Sequence, residues 1–175
     1  TFYIVSQWLA QYGESVAGMP YSEALKLLSI YTTGSLAGVF CSSLALRTFL
    51  SPQMMLLGCT TVSTLALAVA CFFPSPTVMF GFSFIFGFAA AGGVVQLGLA
   101  MMASQFPRAR GRATGIYYSA GSISNFTMPL ITAWIVREWS IHEIFKFDVI
   151  ISGCGILLAV FIAWRSRHAQ AIDLN

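Results

Sequence analysis

Residues 54–73, MMLLGCTTVSTLALAVACFF, carry no charge, and residues 77–103 repeat that condition after the break PSP. Runs of this length decide what the chain can fold into. A bilayer core about 30 Å thick takes about 20 apolar residues in helical form. Inside hydrocarbon only a helix or a closed barrel satisfies every backbone polar group. Segments 25–46, 113–136 and 144–164 meet the same requirement, so five complete spans are expected. A shorter apolar stretch precedes them, assigned as a partial span over 1–19, and a polar tail follows over 165–175. Pro52, Pro74, Pro76 and Pro107 punctuate the brief connections, because proline has no N–H with which to continue a helix. The expected fold class is an all-α membrane protein.

Composition excludes the main alternatives. Charged residues make up 9% of the 175 residues, whereas a soluble domain carries about 25%. The net charge of +3 is too small to imply a nucleic-acid partner. Cys41, Cys59, Cys71 and Cys154 lie inside apolar runs at spacings that suit neither a redox pair nor a metal site, and read as packing residues. No cofactor is expected. The chain begins TFYIVSQWLAQYG, within an apolar stretch and without an initiator Met, and is read as a piece of a longer protein.

Five spans place alternate connections on opposite sides of the membrane. Arg47, the cluster Arg108, Arg110 and Arg112, and Arg165 and Arg167 fall on one side. Lys26, Arg137 and Lys146 fall on the other, with Glu14, Glu23, Glu138, Glu143 and Asp148. Basic residues in short connections favour the cytoplasm. The C-terminus and the loop around Arg110 are therefore expected to be cytoplasmic, with these arginines as topology determinants and lipid-phosphate anchors. Trp134, Trp139 and Trp164 sit near span ends, as interfacial aromatics do.

No ionisable residue is expected well inside a complete span, so the polar groups that matter are uncharged. Tyr3, Gln7, Gln11 and Glu14 follow helical spacing and share one face, flanked by Trp8 and Tyr12. An amide offers donors and acceptors without charge. Beside an aromatic platform it suits a polyhydroxylated solute. Gln96 lies just below the small-residue run AAAGG, which permits close helix approach and bending. Within 113–136, Tyr117, Tyr118, Ser119, Gly121, Ser122 and Asn125 form a polar first half, and an amide at the depth of Asn125 must face protein or water. Gln7, Gln11, Gln96 and Asn125 are the candidate hydrogen-bonding contacts, with Trp8, Tyr12, Tyr31 and Tyr117 to stack on a solute or close over it. A membrane-embedded enzyme is not expected, because His142 and His168 fall outside the spans and no buried carboxylate is foreseen.

The stretch IYTTGSLA at 30–37 resembles IYYSAGSIS at 116–124. They fall in the second and fifth of six segments, where two three-helix repeats would hold equivalent positions. Three spans is an odd number, so such repeats have opposite orientation, a pattern typical of secondary transporters.

FPRARGRATGIYYSAGSIS, together with SSLALRTFLSP, carries a family resemblance. The chain resembles the C-terminal half of a major facilitator superfamily transporter, most like the sugar-permease-like branch that includes fucose permeases. The family's Gly-x-Leu-x-Asp-Arg-x-Gly-Arg-Arg motif is partly kept. Ser42 stands for its Gly and Leu46 for its Asp, Leu44 and Arg47 match, and the later Gly-Arg-Arg is missing. The resemblance implies spans seven to twelve of a twelve-span fold, with the first helix truncated and two inverted three-helix repeats. It implies alternating access around a cavity lined by spans seven, eight, ten and eleven, with nine and twelve peripheral. The implied function is secondary active transport of a small polar solute such as a sugar, with export of amphipathic compounds as the alternative. The implied setting is the bacterial inner membrane, with the bilayer and the missing N-terminal six-helix half as partners. Any coupling proton would be bound in that missing half.

Overall fold

The computed structural model describes residues 1–48 and 51–172, and every element among them is helical. In chain order these are α1 (Phe2–Ser15), α2 (Tyr21–Thr48), α3 (Pro52–Phe72), α4 (Pro76–Phe86), a π-helical stretch (Gly87–Val94), α5 (Val95–Gln105), α6 (Arg110–Glu138) and α7 (Ile141–Ile172). The α4–π–α5 rod is one continuous crossing of Pro76–Gln105.

Local chemistry sets the boundaries. Proline occupies the first turn of α3 and of α4, where its missing N–H would have had no partner. Ser75 caps α4, its side-chain oxygen accepting from the Val78 N–H at 3.4 Å. After α1 the chain reverses through Gly18, whose φ of +67° suits a residue without Cβ. The Met19 N–H then donates to the Gly13 carbonyl at 3.0 Å and closes the helix end.

Several expected bounds are corrected. Arg110 and Arg112 stand in the first turn of α6 and not in a loop, and Arg108 precedes that turn. The tail expected from residue 165 stays helical to Ile172. Hydropathy marks where a helix meets hydrocarbon, whereas the helix itself runs on until a breaker stops it. Asp173 and the side chains of Arg47 and Arg167 lie outside the described residues. Among those residues four helices are long and apolar enough to cross a membrane: Tyr21–Leu46, Pro52–Phe72, Pro76–Gln105 and Ile141–Arg165. Helix α6, at 29 residues, reaches about 44 Å, but two arginines and a polar first half dilute its apolar character.

The closest helix contact joins α2 to the π-helical stretch. A Cβ on Gly87 would strike the Tyr31 carbonyl, and one on Gly92 the Ser35 carbonyl. In return, Gly34 and Gly38 lie against the Phe84 and Phe88 carbonyls. Backbone therefore touches backbone along this seam, the arrangement small residues permit in membranes. Gly93 faces the opposite way, where a Cβ would stand 2.8 Å from Cys59 Sγ on α3. The widened turn is thus held between α2 and α3.

Hydrogen bonds reproduce the internal repeat. Tyr31 on α2 donates its hydroxyl to the Phe2 carbonyl on α1 at 3.3 Å. Tyr117 on α6 donates to the Val95 carbonyl on α5 at 3.0 Å. In each repeat the second helix thus reaches the first through the tyrosine of the matched Ile-Tyr pair. The third helices, α3 and α7, meet through Thr64 and Ser152, whose hydroxyl oxygens are 2.6 Å apart. Thr64 gives its proton to the Thr60 carbonyl at 2.8 Å, so Ser152 supplies the hydrogen between them.

Candidate solute-binding site

Helix α6 turns its polar half away from the packed core. Tyr118, Ser122, Ser124 and Asn125 are exposed on it, and Tyr117 is half-buried. Facing them is the start of α1. Together they line a cavity of about 250 Å³ bounded by Tyr3, Ile4, Val95, Tyr117, Tyr118, Ser122 and Asn125, among others. Tyr117 and Tyr118 meet edge to face, with ring centroids 5.8 Å apart. The Tyr117 hydroxyl is committed to Val95, which fixes that ring as a wall.

Pro129 adds a backbone acceptor to this wall. It lies inside α6, and a helical N–H at that position would bond the carbonyl four residues earlier. The carbonyl concerned belongs to Asn125. Lacking that donor, it stands beside the Asn125 side-chain amide. One residue thereby offers two acceptors and a donor to the same space.

The structure brings together only part of the expected set. Tyr117 and Asn125 line the cavity. Gln7 and Gln11 are exposed on the same polar face of α1, and the Gln7 amide lies 3.5 Å from the Tyr3 hydroxyl. Tyr12 belongs elsewhere. It is fully buried, stacks on Phe145 at 3.7 Å, and its hydroxyl meets the Ala70 carbonyl and His142 Nδ1 at 3.3 and 3.0 Å. Trp8 donates its indole N–H to the buried Thr132 hydroxyl at 3.1 Å and is an interhelical tie. Tyr31 is buried against α1. Gln96 is half-buried and is not among the residues lining this cavity.

Two further expectations need correction. His142 is not outside the bundle's contacts, since it stands in the first turn of α7 and touches Tyr12. Asp148, assigned to the outer side with the exposed acids, is fully buried within α7. A single acid after Phe147 shows no pattern in sequence, and burial of its face appears only once α1 and α3 are packed against it.

Tyr3, Tyr118, Ser122, Ser124 and Pro129 complete the wall without having been singled out as contacts. The Tyr3–Gln7 spacing of one helical turn is the sequence signal for the first. A proline four residues after Asn125 is the signal for the last.

The Major Facilitator Superfamily model matches residues 1–174. The chain belongs to this superfamily. Its relatives include the inner membrane transport protein YdiM of Escherichia coli K12, 54% identical over 95% of this chain. YdiN of the same organism, also named an inner membrane transport protein, is 37% identical over 100% of it. The MFS-type transporter YfkL of Bacillus subtilis 168 is 33% identical over 94%. The chain spans 41% of the length of YdiM and of YdiN and 42% of that of YfkL. The all-helical bundle with its matched three-helix repeats is thus half of a major facilitator fold.

Proposed function

We propose that this chain supplies one wall of the translocation cavity of a secondary active transporter for a small, neutral, polar solute, a monosaccharide or a related polyol. The observation that carries this reading is the exposed polar face shared by α1 and α6. Gln7, Gln11, Ser122 and Asn125 are exposed there, and such groups do not face hydrocarbon without a cost of several kcal/mol. They border water and a second wall, which the reading assigns to the N-terminal six-helix half. The cavity of about 250 Å³ falls below the range of about 300–1,000 Å³ for complete small-molecule sites, in keeping with a half-site.

The named lining is hydroxyls, an amide, a freed carbonyl and tyrosine rings, without a charged side chain. That chemistry matches sugar hydroxyls at its edges and the sugar C–H face on its rings. It provides no nucleophile paired with a base, which argues for binding and release without catalysis. In this reading α1 through α7 are spans seven to twelve, with α4, the π-helical stretch and α5 together forming span ten. The arginines at the start of α6 and the end of α7 lie in the cytoplasm, and the membrane is the bacterial inner membrane.

The test is uptake of radiolabelled monosaccharides by the full-length protein in proteoliposomes. Asn125→Ala is expected to lower uptake about tenfold, the loss of one well-made hydrogen bond to solute, with Gln7→Ala weaker than that. Unchanged uptake in both Asn125→Ala and Tyr118→Phe removes the site from α6.

A further inference from the structure

Asp148 is the buried acid of this bundle. Its side chain is fully enclosed, and neither carboxylate oxygen accepts a hydrogen bond among the described residues. The nearest basic atom is the Thr1 nitrogen, 3.4 Å from Oδ1. Other titratable groups on the surrounding helices are engaged elsewhere. Tyr12 on α1 meets His142 on α7, Lys146 is held by Glu143 at 2.6 Å, and Arg137 on α6 lies beside Glu138. Cys71 on α3 is a buried thiol. A carboxylate enclosed in this way is stabilised by taking up a proton, since an isolated buried charge is expensive.

A route for that proton lies alongside. Ser152, one helical turn further along the same face of α7, lines a cavity of about 420 Å³ with Thr60 and Ser63 of α3. Thr1 and Phe2 line this cavity and also the solute cavity on the other side. The first turn of α1 is therefore a partition with the acid and its hydroxyls on one side and Tyr117, Ser122 and Asn125 on the other. Movement of this turn when solute binds changes the enclosure of Asp148.

We propose that Asp148 is a proton-binding site of the transport cycle, loaded and emptied from the hydroxyl-lined cavity between α1, α3 and α7. Loading forms one O–H bond on the carboxylate with a proton from water and leaves the side chain neutral, and unloading reverses it without electron transfer. The proposal rests on the transporter reading and moves the coupling proton from the missing half into this one.

Two measurements on the full-length protein test it. In proteoliposomes carrying a pH gradient, the wild type is expected to accumulate a transported monosaccharide about tenfold per pH unit if one proton accompanies each solute. Asp148→Asn is expected to lose that accumulation while still exchanging labelled for unlabelled sugar, and Asp148→Glu to restore part of it. Equal accumulation by Asp148→Asn and wild type overturns the proposal. The second measurement is infrared titration of the detergent-solubilised protein, which needs no solute. A protonated-carboxyl band that fades as pH rises and is missing from Asp148→Asn supports the site. A band indifferent to pH or to the substitution overturns it. If the wild type neither exchanges nor accumulates any monosaccharide tested, the solute reading fails, and the infrared result still decides the proton site.

Discussion

Gly87→Val is expected to abolish a stably folded protein. The new Cβ meets the Tyr31 carbonyl, so relief requires α2 and the π-helical stretch to separate and not merely a side chain to rotate. Overpacking a close-packed site costs about 1–3 kcal/mol, and more where backbone must move. A single change therefore removes a large part of a margin that is about 5–15 kcal/mol for whole domains. Gly38→Val is expected to act alike, through the Phe88 carbonyl and Gly92. Gly58→Val is the control, because a Cβ there has no neighbour within 4 Å. The measurement is the monodisperse yield and melting temperature of the full-length protein in detergent. Gly87→Val that melts with Gly58→Val would show that this seam does not hold the bundle.

Tyr12 offers the second large effect, with a sharp contrast between two substitutions. Tyr12→Ala removes a fully buried ring stacked on Phe145 and leaves a cavity, at an expected cost of about 3 kcal/mol. Tyr12→Phe keeps the ring and loses only the hydroxyl contacts with Ala70 and His142, at about 1 kcal/mol. The expected result is a severe loss of folded protein for Ala. For Phe a modest drop in melting temperature and near-normal sugar uptake are expected. Uptake that collapses in Tyr12→Phe without a change in melting would instead return Tyr12 to the solute path.

Much of the architecture was legible because hydrocarbon imposes few solutions. Apolar runs such as 54–73 had to be helices, and proline marked where α3 and α4 begin. The Ile-Tyr repeat was legible too, though not its mechanical meaning, since two tyrosine hydroxyls reaching equivalent helices is a three-dimensional fact. The site was read less well. Tyr12 and Asn125 look alike as polar residues in apolar surroundings, but one turns into the bundle and the other away from it. Helical spacing says which residues share a face. It does not say which face a neighbouring helix covers. Asp148 escaped for the same reason, being an acid close enough to a span end to pass for an interfacial residue. The π-helical stretch was visible only as a cluster of small residues, because the shift in its hydrogen bonding depends on contact with α2.

Thr64 and Ser152 stand nearly equally far into the third helices of two repeats of opposite orientation. A group that meets its own counterpart lies close to the axis relating the halves, and an axis is where rotation displaces atoms least. Rocking one repeat against the other therefore leaves this hydroxyl pair almost stationary. The sweep grows with distance from it and is largest for the helices that carry Gln7 and Asn125. The bond acts as a fulcrum, and its short reach is no obstacle to wide motion at the far side of the bundle.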